Sequence, residues 1–374
     1  MSARYLYIHV PFCLRRCSYC DFAVQATRSA PVDAWLQAID RELELLRAEQ
    51  AWDRLDLETI YLGGGTPSLL GTGAVPRLVE ILRRYADWTD AVEFTAEANP
   101  ETFTPELAAD WRAAGVNRIS LGAQTFHPKA LRWMGRLHGA DGPGRAVASA
   151  REAGIDNISI DLIFGLPERF NRNWVADLEH ALALDPTHVS LYGLTAEPAT
   201  PLGRWVSEGR EILCDEETYA QEYRTAVRLL TEAGLEHYEV SNFARPGKQS
   251  RHNSAYWTGA AYIGLGPGAH SFHPPRRVWN DRSWDACQAA LAEGRLPRAD
   301  EETVDAAAER LERIWLSLRT RGGLPVAGSS ERASSLARRW QEAGWAAVEG
   351  GRLRLTTEGW LLLDRLAVEW EGVA

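Results

Sequence analysis

Hydrophobic and polar positions along the first 200 residues alternate between two periodicities. Short apolar, β-branched runs are each followed by a longer stretch with apolar residues at three- and four-residue spacing. The first pattern predicts buried strands, and the second predicts amphipathic helices. The predicted strands are residues 5–10, 58–62, 92–97, 118–121, 157–163 and 188–192. The predicted helices are residues 32–48, 75–85, 105–114, 144–153 and 173–183.

Six strand–helix repeats in one direction predict parallel strands joined by right-handed crossovers. Two architectures have this pattern, an open doubly wound sheet and a complete or partial barrel. The repeats alone leave both open.

The alternation weakens after residue 192. A helix over 216–233 and a strand over 236–240 precede a Gly- and aromatic-rich stretch, 241–275, which reads as loop plus short strand. A strong amphipathic helix over 304–319 is then followed by helix 332–343, short strands over 346–355 and helix 358–369. This order predicts a small winged-helix-like module. We therefore expect a core over 1–235, a connecting region over 236–300 and a C-terminal domain over 301–374.

Charge and composition narrow the functional classes. The chain of 374 residues has a formal net charge of −10 and no Lys/Arg-rich run, which argues against nucleic acid as a partner. No apolar run approaches the ~20 residues of a membrane span, and the start of the sequence shows no secretory signal pattern. We therefore expect a cytoplasmic protein.

Three of the five cysteines fall within eight residues, directly after the first predicted strand. Cys13, Cys17 and Cys20 form the pattern C-x-x-x-C-x-x-C, whereas Cys214 and Cys287 stand alone and read as small hydrophobic residues. Three thiolates in one loop can bind three corners of a 4Fe–4S cluster and leave the fourth iron without a protein ligand. The alternative is structural zinc, which needs a fourth ligand such as His9.

Polar and glycine residues recur where the predicted parallel strands end. The carboxyl ends of such strands meet at one face, so these residues are expected to surround a common ligand. They include the run Gly63–Pro67, Glu97, Gln124, Asp161, Thr195 and Glu197. Each alone has an ordinary structural explanation, as a turn, a cap or a solvated strand end.

The cysteine spacing, with the aromatic Tyr19 before the last cysteine, resembles the signature of radical S-adenosylmethionine (SAM) proteins. The resemblance implies a partial (β/α)6 TIM-type barrel followed by a C-terminal α+β, winged-helix-like module. It also implies that the amino and carboxylate groups of SAM occupy the fourth iron. By resemblance, Glu97 and Asp161 bind polar atoms of SAM, and Arg136 offsets its carboxylate charge. The implied SAM contacts are Tyr7, Gly64, Gly65, Thr66, Glu97, Gln124, Arg136 and Asp161.

Within that superfamily the sequence is similar to the oxygen-independent coproporphyrinogen III dehydrogenase-like family, and most similar to its haem chaperone branch. The dehydrogenase motif continues to a further cysteine where this chain has Phe22, and the dehydrogenase carries a longer segment before its cluster. The run from His252 to Trp257 matches the HNxxYW motif of the chaperone branch, as does the run from Tyr262 to His270.

The HNxxYW motif suggests a haem site on chemical grounds as well. A neutral imidazole can bind haem iron, and aromatic rings suit the flat macrocycle. We expect His252 to bind the iron, with His270 and His273 as weaker alternatives. Nearby cations for the haem propionates are Arg245, Lys248 and Arg251. The competing interpretation is a structural loop in which Tyr256 and Trp257 only pack.

The expected function is a haem chaperone that binds the cluster, SAM and haem, and that transfers haem to apo-haemoproteins, transiently membrane-associated ones among them. Two enzymatic alternatives stay open. One is oxidative decarboxylation of coproporphyrinogen III, which the Phe22 position disfavours. The other is radical chemistry on a different substrate.

Overall fold

Six parallel strands form the centre of the molecule in the computed structural model, which describes residues 3–50 and 52–373. They are β1 (Tyr5–Val10), β2 (Thr59–Gly64), β3 (Glu93–Ala98), β4 (Arg118–Gln124), β5 (Asn157–Phe164) and β6 (His188–Gly193). Strands adjacent in sequence are adjacent in the sheet, and all five pairings are parallel. The six strands predicted from the apolar runs are therefore confirmed, with ends that differ by up to three residues.

Helices connect these strands in the predicted order, and two more helices follow the sixth strand. They are α1 (Val32–Gln50), α2 (Ala74–Leu82), α3 (Pro105–Ala113), α4 (Pro128–Met134), α5 (Gly142–Glu152), α6 (Trp174–Ala183), α7 (Pro201–Ser207) and α8 (Glu216–Glu232). Helix α3 begins where expected, because the Thr104 side chain accepts a hydrogen bond from the Leu107 amide and proline follows directly. Helices α4 and α7 were not predicted. Each has only seven residues, too few to show a helical repeat.

The stretch after α8 extends the same sheet at both edges. It contributes β7 (Glu236–Glu239), β8 (Asn242–Ala244), β9 (Tyr262–Leu265), β10 (His270–His273), β11 (Arg276–Asn280) and β12 (Arg298–Thr303). Strand β8 pairs antiparallel with β6, whereas β9 lies parallel beside β1, so that seven consecutive strands of the sheet are parallel. Helix α10 (Trp284–Ala292) follows β11.

The expectation of loop over most of 241–275 is wrong in one place that matters for function. Helix α9 (Arg251–Trp257) carries the HNxxYW motif, and the Ser250 side chain caps it by accepting a hydrogen bond from the Asn253 amide. Its seven residues lie among glycines and turn residues, so periodicity gave no helical signal. The motif side chains are therefore held by a short helix.

The C-terminal module contains a three-stranded antiparallel sheet and four helices. Its elements are α11 (Ala306–Arg319), β13 (Leu324–Pro325), α12 (Glu331–Glu342), β14 (Ala346–Glu349), β15 (Arg352–Leu355), α13 (Thr357–Trp360) and α14 (Leu363–Glu371). The single final helix predicted over 358–369 is wrong. The first helix ends at Trp360, whose indole Nε1 donates to the Leu318 carbonyl at 2.9 Å. The Leu362 amide then donates to the Gly359 carbonyl in a tight turn, and the second helix begins at Leu363.

The parallel sheet curves into a partial barrel. Residues from the carboxyl ends of β1 to β6 line one cavity of about 500 Å³, which requires the sheet to close around it. This confirms the predicted fold class over the open-sheet alternative. Among the described residues, no helix is long and apolar enough to cross a membrane.

Candidate functional site: a cysteine loop at the barrel mouth

The loop after β1 presents three free thiols to the cavity at the barrel mouth. Cys13, Cys17 and Cys20 are each partly exposed and line the same space. A pair of two-residue strands fixes the base of the loop, with the Thr27 amide donating to the Cys13 carbonyl at 2.8 Å. Burial raises the pKa of Cys13 to about 11 and also raises that of Cys20. Iron binding reverses this preference, because a coordinated thiol is deprotonated.

The donor set fits a 4Fe–4S cluster. Within residues 3–50 and 52–373, no three His, Cys, Asp or Glu side chains lie close enough to hold a single metal ion. A four-iron cube needs no such convergence, because each thiolate binds a separate iron. Zinc would need His9, but its ring nitrogens are hydrogen-bonded to the Tyr7 hydroxyl and to the Ala23 carbonyl, both at 2.9 Å.

The glycine run after β2 brings backbone close to the cysteine loop. The Gly65 amide donates to the Val10 carbonyl at 2.7 Å, and a Cβ on Gly65 would lie 3.1 Å from the Cys13 sulfur. The Thr66 hydroxyl donates to the same sulfur at 3.3 Å. Glycine at this position therefore allows two strand ends to meet beside Cys13.

Glu97, at the end of β3, receives two hydrogen bonds inside the cavity. The Gly64 amide donates to its carboxylate at 2.9 Å, and the Tyr61 hydroxyl donates at 2.8 Å. Burial nevertheless raises the pKa of Glu97 to about 7, and the charge of Asp161 adds to the effect. A cationic or hydroxyl-bearing ligand that donates a hydrogen bond to Glu97 would favour its ionised form and lower this pKa.

Asp161, in β5, is supported by neighbouring strands. The hydroxyls of Ser120 and Ser159 donate to its carboxylate at 2.9 Å and 3.1 Å, and burial raises its pKa. The positive charge of the fully buried Arg118 opposes this rise in pKa for both Asp161 and Glu97, but burial has the larger effect. Tyr61 and Arg118 are site residues that the sequence did not reveal, because both lie inside strands that read as ordinary buried segments.

Gln124 and Arg136 complete the cavity wall. Gln124 has φ +66° at an irregularity in the β4–β5 pairing, a backbone state that non-glycine residues rarely adopt. The Arg136 guanidinium donates to the Asn99 side chain at 2.7 Å and to the Gly122 carbonyl at 2.6 Å, and it lines the same cavity as Cys17. The Arg136 side chain is therefore held in the cavity wall by neighbouring strand ends and does not project freely from the surface.

The structure brings most of the predicted SAM contacts together with the three cysteines. One cavity is lined by Gly64, Gly65, Thr66, Glu97, Gln124, Arg136 and Asp161 together with Cys13, Cys17 and Cys20. Tyr7 instead lines a neighbouring cavity of about 540 Å³. The two cavities adjoin, because both are lined by Asp21, Phe22, Gly64, Glu97 and Tyr192.

The HNxxYW motif divides between two places. His252, Asn253 and Tyr256 line the neighbouring cavity, whereas Trp257 lines a separate groove against the C-terminal module, where the Arg319 guanidinium lies 4.3 Å from its ring centroid. A single flat ligand therefore cannot pack on Tyr256 and Trp257 together in this arrangement.

His252 is buried and bonded on both ring nitrogens. Its Nδ1 lies 2.6 Å from the Thr59 hydroxyl, its Nε2 lies 2.9 Å from the Tyr256 hydroxyl, and its ring packs on Tyr61 with centroids 5.0 Å apart. Burial lowers the pKa of His252 to about 3. The imidazole is therefore neutral, as a metal ligand must be, but neither nitrogen is free.

Three thiols in a loop and a ring of polar strand ends around one cavity define the site of a radical SAM protein. The profile described as the radical SAM superfamily matches residues 7–181. The chain is 40% identical over 368 residues to the protein named heme chaperone HemW in Mycobacterium tuberculosis, covering 96% of this chain and 92% of that one. It belongs to this family of radical SAM proteins.

A second relative and a solved structure are also similar to this chain. The heme chaperone HemW of Escherichia coli is 39% identical over 266 residues, 71% of this chain and 69% of that one. The solved structure of coproporphyrinogen III oxidase (HemN) from Escherichia coli superposes with a TM-score of 0.81 at 20% identity, covering 99% of this chain and 90% of that one. This likeness establishes the fold alone. Radical SAM proteins bind a 4Fe–4S cluster and SAM.

Glu97→Gln is expected to change how stability depends on pH. Folding raises the pKa of Glu97 from 4.5 to about 7, so the folded state holds a proton that the unfolded state has released. Stability contributed by the neutral carboxyl is therefore lost as pH rises from about 4.5 to 7. The variant lacks this loss. Urea unfolding should show a higher free energy of unfolding for Glu97→Gln than for the wild-type protein at pH 8 but not at pH 5. The control Glu217→Gln, at an exposed helix position, should not differ from wild type at either pH.

Proposed function

We propose that this protein is a haem chaperone that binds a 4Fe–4S cluster, SAM and haem, and that passes haem to apo-haemoproteins. The observation that carries the proposal is the pair of adjoining cavities at the barrel mouth. One holds the cysteines and the polar strand ends, and the other is lined by histidine and tyrosine side chains. The similarity to proteins named heme chaperone HemW supports the same function.

In the first cavity, Cys13, Cys17 and Cys20 would hold three irons. The 4Fe–4S cluster would supply a fourth iron without a protein ligand, and the amino and carboxylate groups of SAM would bind there. Glu97 and Asp161 would accept hydrogen bonds from SAM, and Arg136, which lines the same cavity as Cys17, would balance negative charge on cluster and ligand. Tyr7 would contribute indirectly, through Tyr61 and the cavity that both line.

The second cavity fits haem by its size and its rings. Its volume of about 540 Å³ lies within the range of about 300–1,000 Å³ common for ligand pockets, and Tyr61, Tyr192 and Tyr256 supply flat apolar surface. The Arg282 side chain is 60% exposed at the rim, where it pairs with Asp21 at 3.3 Å, and it would have to exchange this partner for a propionate. His252 remains a proposed iron ligand on one condition. Its Nε2 must first exchange the Tyr256 hydroxyl for iron.

The experiment that tests this function is anaerobic reconstitution of the cluster, followed by haemin titration with and without SAM and by transfer to an apo-haemoprotein. We expect saturable binding of one haem per chain and transfer that depends on the cluster. The loaded protein should also be incubated with coproporphyrinogen III, the substrate of the alternative enzymatic function. Its decarboxylation by the loaded protein would overturn the chaperone proposal, and its persistence alongside haem transfer would support it.

Removal of one hydroxyl group tests whether His252 binds the haem iron. Tyr256→Phe frees the Nε2 of His252 without changing the shape of the cavity. If His252 binds iron, the variant should bind haemin about as tightly as wild type or more tightly, because no hydrogen bond has to be broken, which is worth about 1 kcal/mol or roughly fivefold. Titration by absorption spectroscopy measures this. Weaker binding would contradict ligation by His252.

A further inference from the structure

The haem cavity is lined by three histidines in different chemical states. His9 and His252 are buried, and both ring nitrogens of each lie 2.6–2.9 Å from protein oxygen atoms. His270, at the start of β10, is exposed, and its ring has no hydrogen-bond partner within the described ranges 3–50 and 52–373. Its nitrogens are therefore the ones in this cavity that need no rearrangement to bind a metal.

The surroundings of His270 hold the ring in place without using its nitrogens. Its ring stacks on Trp279 of the paired strand, with centroids 5.6 Å apart and 24° between the planes. Stacking uses the ring face and leaves the nitrogens at the edge free. Partial burial lowers the pKa of His270, and the positive charges of Arg277 and Arg282 add to this effect, so the imidazole stays neutral.

Resting on the proposed haem function, we propose that His270 supplies an axial ligand to the haem iron from the rim of this cavity. Neutral imidazole is a common haem ligand, and a ligand at an exposed rim leaves the haem accessible to a recipient protein. His252 is a buried residue of the same cavity lining, and it binds iron only if Tyr256 releases it. Deep burial of His252 and exposure of His270 thus assign different tasks to the two residues.

Haemin titration of His270→Ala tests the proposal, with optical and electron paramagnetic resonance spectra of the bound iron as readouts. His273→Ala is the matched control, because His273 is exposed on the same strand but does not line the cavity. We expect His270→Ala to lose the imidazole-ligated spectrum and at least about tenfold in affinity, or roughly 1.4 kcal/mol. Added imidazole should restore the spectrum. His273→Ala should behave as wild type.

The outcomes separate the inference from the proposed function. An unchanged spectrum and affinity in His270→Ala would overturn the ligand assignment, and loss of the spectrum in His252→Ala alone would transfer it to that residue. Failure of the wild-type protein to bind haemin would overturn both. Circular dichroism and cluster content check folding, which the exposed position of His270 should leave unchanged.

Discussion

Cys17→Ala is expected to abolish binding of the 4Fe–4S cluster. Iron content after anaerobic reconstitution should fall from about four per chain to near zero, because two thiolates in a partly exposed loop cannot retain the cube. Iron and sulfide analysis with absorption spectroscopy measures the loss.

Cys214→Ala provides the matched control. Cys214 is also free and partly exposed, but its sulfur packs near Gly165, outside the cysteine loop. This variant should reconstitute to the wild-type iron content. Full reconstitution of Cys17→Ala, or equal losses in both variants, would contradict the assignment of the loop as the cluster site.

Gly64→Ala is expected to be strongly destabilising and to impair SAM binding. Gly64 has φ +105°, and an added Cβ would lie 2.3 Å from Cε1 of His9. Backbone strain and overpacking each cost about 1–3 kcal/mol. Any shift that relieves the overlap also displaces the amide that donates to Glu97. Urea unfolding and SAM titration measure the two effects.

The corresponding control is Gly73→Ala. Gly73 also has positive φ, +79°, but an added Cβ would have no atom within 4 Å. Its substitution should therefore cost only the backbone strain. If the two variants unfold at the same urea concentration, the overlap of the added methyl group with His9 has no energetic importance, and the expected destabilisation of Gly64→Ala by overpacking is wrong.

Local patterns were sufficient to predict the central strands and the cysteine loop. Each strand of the barrel is a short segment rich in apolar and β-branched residues and bounded by turn residues, and the cysteine spacing lies within one loop, so both signals are contained in short windows. The strand ends could be collected into one site because parallel topology forces them to a common face. Glu97 and Asp161 were found in this way.

Long-range pairings explain what the sequence could not reveal. His252 is bonded to Thr59, 193 residues away, so no local window shows that its nitrogens are engaged. Tyr61 and Arg118 read as members of buried strands until the sheet curves and turns them toward Glu97 and Asp161. The division of Tyr256 from Trp257 likewise depends on where the C-terminal module packs.

The position of β1 has a consequence for the life cycle of the cofactor. This strand lies between β2 and β9, so its backbone amides are paired on both sides, and its last residues lead directly into the cysteine loop. Amide hydrogens of Tyr5–Val10 should consequently exchange with solvent only on global opening of the domain. A protein that has lost its cluster to oxygen would then keep the barrel intact and remain ready for repair, with disorder confined to the loop.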